Sequence, residues 1–100
     1  MTKVKITIES DCSVWRADLH SAHDDLIVSL PNIDAITTIE LSPGGFYISI
    51  ASFGNPQGKT ATITVSAPGS DPVSEVYGTS GDGTMLVYFG FTLRTNGEVA

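Results

Sequence analysis

The sequence predicts an all-β fold, an antiparallel β-sandwich of seven or eight strands that occupies residues 1–100 as a single domain. Most of the chain alternates apolar and polar residues with a period of two, which is typical of strands with one buried face. Clusters of glycine, proline, asparagine and aspartate separate these runs at short intervals. The run Met85–Leu93 is apolar at even and odd positions alike. We therefore expect it to lie in the middle of the domain, covered on both faces.

The first half of the chain contains one clear strand and one ambiguous segment. Every second residue of Lys3–Glu9 is apolar, which predicts a strand. Residues 12–32 fit two patterns, because Trp15, Ala17 and Leu19 alternate as in a strand while apolar residues also recur at helical spacing. The segment Leu26–Val28 is rich in residues that favour strands, so we expect two short strands joined by a polar bend at His20–Asp25. The alternative is an α+β fold with one helix in 13–30.

The remaining elements are strands separated by turn-forming residues. They cover Ile33–Leu41, Phe46–Phe53, Thr60–Ala67, Val73–Tyr77 and Met85–Leu93. Ser42–Gly45 and Gly54–Gly58 have the composition of tight turns between strands. The expected outline is immunoglobulin-like or jelly-roll-like. Because Cys12 is the single cysteine, no internal disulfide can link the sheets.

Charge and composition exclude several classes of partner. The formal net charge is −6 and the five basic residues are scattered along the chain, so nucleic-acid binding is not expected. An anionic membrane surface is disfavoured for the same reason, and no segment is long and apolar enough for membrane insertion. The N-terminus reads directly into a strand without an apolar signal core. We expect a cytoplasmic protein, or a domain excised from a longer secreted one.

Metal-binding and catalytic signals are weak. The metal-capable candidates are His20, His23, Asp24, Asp71 and Asp82. A pair of imidazoles three residues apart shares an ion only on a helix, since the two residues point to opposite faces of a strand. Cys12 beside the histidines suggests a small hydrolase or metalloenzyme, but no nucleophile elbow or oxyanion loop accompanies it. No cofactor is predicted, and calcium is the ion that the acidic turns would take.

Aromatic residues give the more specific hypothesis. If the face that carries Ile48 and Ile50 points into the core, Tyr47 and Phe53 point outward, and Tyr88 points outward from the last run. Such a face suits protein contact or stacking under a sugar ring. The sequence therefore predicts a non-catalytic interaction module that binds a protein partner or self-associates, with a homodimer through a strand edge as one form. The alternative is a small, calcium-assisted carbohydrate-binding module that uses the same three residues.

Overall fold

The computed structural model describes residues 1–10, 13–21, 26–29, 36–54, 59–79 and 84–100. It contains eight strands: β1 (Thr2–Ser10), β2 (Ser13–Ser21), β3 (Leu26–Ser29), β4 (Ile36–Leu41), β5 (Gly45–Gly54), β6 (Lys59–Ser66), β7 (Val73–Thr79) and β8 (Thr84–Leu93). The described ranges contain no helix, so the all-β prediction is confirmed. The helix alternative for 13–30 is wrong, because β2 and β3 occupy the described parts of that segment and pair with each other.

The strands form two antiparallel sheets of four. The first sheet has the order β4-β1-β6-β7 and the second the order β3-β2-β5-β8. Among these strands, β2–β3 and β6–β7 are consecutive neighbours in one sheet, and every other step along the chain passes from one sheet to the other. The first two strands of an immunoglobulin domain lie in the same sheet, whereas β1 and β2 do not. The strand order therefore differs from the immunoglobulin-like outline, and the structure shows an antiparallel β-sandwich of two four-stranded sheets.

The core lies between the two sheets and is filled by the inward residues of alternating strands. Its buried apolar members are Val4, Ile6, Ile8, Ala17, Leu19, Leu41, Tyr47, Ala51, Phe53, Ala61, Ile63, Val65, Ala67, Val87, Phe89, Phe91, Leu93 and Val99. The period-two patterns of β1 and β6 predict their buried residues correctly. Polar or charged residues occupy most outward positions of these two strands.

The position of β8 corrects one prediction. This strand lies at the edge of the second sheet, with β5 as its neighbour on one side. Its odd-numbered residues from Val87 to Leu93 are buried, but Leu86 is 53% exposed and Tyr88 is 60% exposed. A run that is apolar on both faces is thus covered on one face only among the described residues. The uncovered face becomes the main candidate for a binding surface.

Candidate binding face on the second sheet

Two of the three aromatic residues expected to bind a ligand point into the core. Tyr47 is 7% exposed and Phe53 is 0% exposed, so the outward orientation predicted for both is wrong. Their neighbours Ile48 and Ile50, expected in the core, are half-buried on the outer face. β5 is therefore turned by one residue relative to the prediction, which moves every side chain to the opposite face.

The pairing of β5 with β8 explains this orientation. Tyr47 lies opposite Phe91, and Ser49 lies opposite Phe89. Directly paired residues of an antiparallel pair point to the same side of the sheet. Burying the phenylalanines of β8 therefore also buries Tyr47 and Ser49. The small side chain of Ser49 provides space beside the large ring of Phe89, so the two strands pack without excess volume.

Tyr47 is held in the core by its ring and by its hydroxyl group. The ring stacks on Phe91 with a centroid distance of 5.8 Å and an interplanar angle of 29°. The hydroxyl group donates a hydrogen bond of 2.7 Å to the backbone carbonyl of Ser42. Since both the apolar and the polar part of this side chain have partners, Tyr47 is a structural residue rather than a contact for a ligand.

Tyr88 has the orientation predicted from the sequence. It lies opposite Ile50 on the outer face of the second sheet and is 60% exposed. Among the residues of β5 and β8 whose side chains are described, the other apolar members of this surface are Phe46, Ile48 and Leu86. We call these five residues, Phe46, Ile48, Ile50, Leu86 and Tyr88, the apolar face. Its members lie on two adjacent strands, so they form one continuous surface rather than scattered exposed residues.

Gly90 allows Phe46 to lie flat on this surface. A Cβ atom built at Gly90 would come within 2.5 Å of Cζ of Phe46. Gly90 pairs with Ile48, two residues from Phe46 along β5, so the ring reaches it diagonally across the strands. The space that glycine leaves on β8 is thus filled by a side chain of the same protein. The ring of Phe46 on β5 thus covers the backbone of β8 at Gly90, where no side chain does so.

Polar residues of β2 border the apolar face. Arg16 and Asp18 are joined by an ion pair of 2.7 Å between Nε and Oδ2, with Arg16 largely exposed and Asp18 buried. Asp18 lies opposite Ile50, and His20 lies opposite Ile48. The second carboxylate oxygen of Asp18, Oδ1, is buried and accepts no hydrogen bond within the described structure. An apolar centre with a charged border is the usual anatomy of a protein–protein interface.

The backbone of β8 forms the other border and points away from the sheet. The amide and carbonyl groups of Thr92 bond to Ala100 of the C-terminal tail at 2.9 Å, on the side opposite β5. Because the direction of these groups alternates along an antiparallel strand, those of Leu86, Tyr88 and Gly90 point to the same side. We call this row, from Thr84 to Gly90, the β8 edge. At about 3.3 Å per residue it spans roughly 20 Å.

The two neighbouring sheet edges differ in charge. β7 is an edge strand of the first sheet, and Glu75 lies opposite the buried Ile63 while remaining exposed. A charged residue on the inward side of an edge strand discourages pairing with another strand. β8 contains no charged residue. Of these two edges, β8 is therefore the one without a charged residue to oppose an added strand.

Tyr77 connects β7 to β8. Its hydroxyl group donates a hydrogen bond of 3.3 Å to the backbone carbonyl of Tyr88. Burial raises the pKa of the Tyr77 phenol above its ordinary value of 10.0, and the negative charge of Glu75 raises it further. The contact joins the two sheets at the β8 edge and occupies the Tyr88 carbonyl there.

The described residues give no support for a metal or catalytic site. Cys12, His23, Asp24 and Asp82 lie outside the described ranges. Asp71 is exposed in the β6–β7 turn, and His20 is half-buried on the second sheet. Across the parts of the chain that are described, no three histidine, cysteine or acidic residues come together as a metal site.

No protein-family model matches the chain, and no curated protein or solved structure matches it significantly either. In the described ranges, no helix has the length and apolar character needed to cross a membrane. The functional argument therefore depends on the geometry of the apolar face and of the β8 edge.

Proposed function

We propose that the chain is a non-catalytic interaction module that binds an extended segment of another protein along the β8 edge. The added strand would bond to the outward backbone groups of Leu86 and Gly90, and at Tyr88 it would displace the Tyr77 hydroxyl group from the backbone carbonyl. Its own side chains would cover Leu86 and Tyr88. Strand addition of this kind takes affinity from main-chain hydrogen bonds and specificity from the side chains beside them. The observation that carries the proposal is an uncharged edge strand with two large apolar residues more than half exposed.

Beyond the β8 edge, the end of β8 already pairs with the C-terminal tail through an isolated antiparallel bridge between Leu93 and Val99. The C-terminal tail pairs with the end of β8, where Ala100 bonds to Thr92 and Arg94 bonds to Glu98. These contacts support the proposal, because they lie on the same side of β8 as the outward groups of the β8 edge. The open part of the edge continues directly from the part that the tail covers.

The charge of the chain favours a basic partner. A net charge of −6 attracts a basic segment and repels a second acidic copy at long range. We therefore favour another protein over a homodimer as the occupant. Sedimentation should show a monomer in solution. A dimer that is lost when Leu86 is replaced by lysine would instead identify a second copy as the occupant.

A synthetic peptide of alternating valine and lysine residues provides a direct probe of the edge. We expect fluorescence anisotropy to show binding that weakens roughly tenfold or more in Leu86→Lys and Tyr88→Lys, which place a charge beside the new strand. Val76→Lys is the matched control, because Val76 is 64% exposed on the outer face of the first sheet. Equal weakening in all three variants, or no binding to the wild type, would contradict the proposal.

Carbohydrate binding is the second candidate, and the exposed ring of Tyr88 favours it. A flat phenol beside the half-buried Ile50 can stack under a sugar ring. In that case a glycan array should give hits that disappear in Tyr88→Ala. Added calcium should raise the melting temperature if the acidic turn at Asp71 contributes. Array hits that persist in the variant would exclude Tyr88 as the stacking platform.

A further inference from the structure

A concave pocket lies on the outer face of the first sheet, away from the apolar face. Its volume is about 360 Å³, and it is lined by Lys3, Lys5, Thr38, Ser66, Ala67 and Pro68. This volume is within the range of about 300–1,000 Å³ that is usual for sites of small ligands. Two lysines and two hydroxyl residues border the pocket, and most of its exposed lining is apolar. A ligand that fits it would combine an anionic group with a less polar body.

The strand register places the polar side chains in one row. Lys5 lies opposite Thr38 on β4 and opposite Ser66 on β6. Paired residues of neighbouring antiparallel strands point to the same face with their Cβ atoms about 5 Å apart. The side chain of Lys5 thus leaves the sheet between Thr38 on one side and Ser66 on the other. Lys3 follows on the same face of β1, two residues away.

A turn forms the wall of the pocket. The Ser70 amide donates a hydrogen bond of 3.1 Å to the carbonyl of Ala67, and Gly69 has a φ of 74°. With proline in the second position and glycine in the third, these are the features of a type II turn. The turn is fixed from outside by a hydrogen bond of 3.0 Å from the Val99 amide to Oγ of Ser70. Pro68 is therefore held in place without a ligand.

The charges around the pocket favour an anion at Lys5. Within the described structure neither Lys3 nor Lys5 takes part in an ion pair. Glu40 lies opposite Lys3 and reduces its positive field, whereas both partners of Lys5 are neutral. In a chain of net charge −6 this is a local concentration of positive charge. Lysine binds phosphate and sulfate groups as a compact point charge.

We propose that this pocket binds a small soluble molecule that carries a phosphate or sulfate group on a hydroxyl-bearing body. Lys5 binds the oxyanion, with Lys3 as a weaker second cation. The hydroxyl groups of Thr38 and Ser66 donate hydrogen bonds to the ligand or accept them from its hydroxyl groups. Pro68 packs against the body of the ligand. This site is separate from the β8 edge, so the proposal does not depend on the proposed function.

Titration of ¹⁵N-labelled protein with glucose 6-phosphate, inorganic phosphate and glucose tests the proposal. We expect glucose 6-phosphate to shift the amide signals of Lys5, Thr38 and Ser66 at the lowest concentration of the three probes. Binding should weaken with added salt. It should fall roughly tenfold in Lys5→Gln and less in Lys3→Gln. Vesicles that contain phosphatidic acid should not sediment the protein.

Arg94→Gln is the control, because it removes the same charge from an exposed side chain elsewhere on the surface. Leu86→Lys should leave binding of the sugar phosphate unchanged, which separates this site from the β8 edge. Signal shifts scattered over the surface, or equal weakening in Lys5→Gln and Arg94→Gln, would overturn the proposal. Sedimentation with the vesicles would show that the phosphate group belongs to a lipid, and would overturn the choice of a soluble ligand.

Discussion

Replacing Tyr47 by alanine should be one of the most destabilising changes on β5, because its ring is buried and stacked on Phe91. A buried aromatic side chain hides about 150–250 Å², and its removal also leaves a cavity. We expect Tyr47→Ala to lower the free energy of unfolding by about 3–5 kcal/mol. That is a large part of the roughly 5–15 kcal/mol expected for a whole domain.

Two further variants separate the contributions. Tyr47→Phe keeps the ring and removes the hydrogen bond to the Ser42 carbonyl, which should cost about 1 kcal/mol. Tyr88→Ala removes a ring of the same type that is 60% exposed, so the loss should be about 1 kcal/mol or less. Urea unfolding followed by circular dichroism measures all three values. If Tyr88→Ala costs as much as Tyr47→Ala, the orientation of β5 and β8 described above is incorrect.

Three other predictions concern the core, the apolar face and the contact between the sheets. Ser49 is buried and its hydroxyl group has no hydrogen-bond partner in the described structure. Ser49→Ala should therefore raise the free energy of unfolding by about 1 kcal/mol. A decrease of similar size would show that the hydroxyl group does form a hydrogen bond in the folded protein. Gly90→Ala should destabilise the wild type more than the Phe46→Ala variant, with a coupling energy of about 1 kcal/mol in a double-mutant cycle, because the new Cβ displaces the Phe46 ring; additive effects would contradict this contact. Because the pKa of Tyr77 is raised in the folded protein, its contribution to the free energy of unfolding is fully present below pH 10.0. It is lost as the pH rises from there through the pKa of the folded state. Tyr77→Phe should therefore reduce the loss of stability above pH 10.0 relative to the wild type, and identical pH curves would argue against the burial of this phenol.

The fold class could be predicted from the sequence, because it depends on the hydrophobic alternation within each strand and on the turn residues between strands. The strict alternation in β1 and β6 has one reading, since only one face of each strand is apolar. The turn residues between β4 and β5 likewise allow little else. For these elements the hydrophobic pattern and the observed burial agree.

The orientation of β5 could not be obtained in the same way. Both of its faces are apolar, one through Ile48 and Ile50 and the other through Tyr47 and Phe53. The choice between them is made by pairing with β8, which is distant in sequence. The run of β8 shows that both of its faces are apolar but not whether both are covered. Register and sheet order are long-range properties, and a single sequence carries little signal for them.

The pocket at Lys5 was also not predicted. Its lining comes from β1, β4, β6 and the following turn, and none of these segments has a recognisable motif by itself. The Pro68–Gly69 pair has the composition of a turn, but its position beside Lys5 depends on the pairing of β1 with β6. A site that is assembled from neighbouring strands becomes visible only when the register is known.

Amide hydrogen exchange along β8 tests most directly whether this strand offers an open edge. The amides of Val87 and Phe89 point toward β5 and should exchange slowly, whereas those of Leu86, Tyr88 and Gly90 point outward and should exchange quickly in the monomer. The structure predicts exchange rates that alternate along β8 from Leu86 to Gly90, slow at the odd-numbered residues and fast at the even-numbered ones. Uniformly slow exchange in a monomeric sample, or alternation in the opposite phase, would show that the edge is covered or that the register differs.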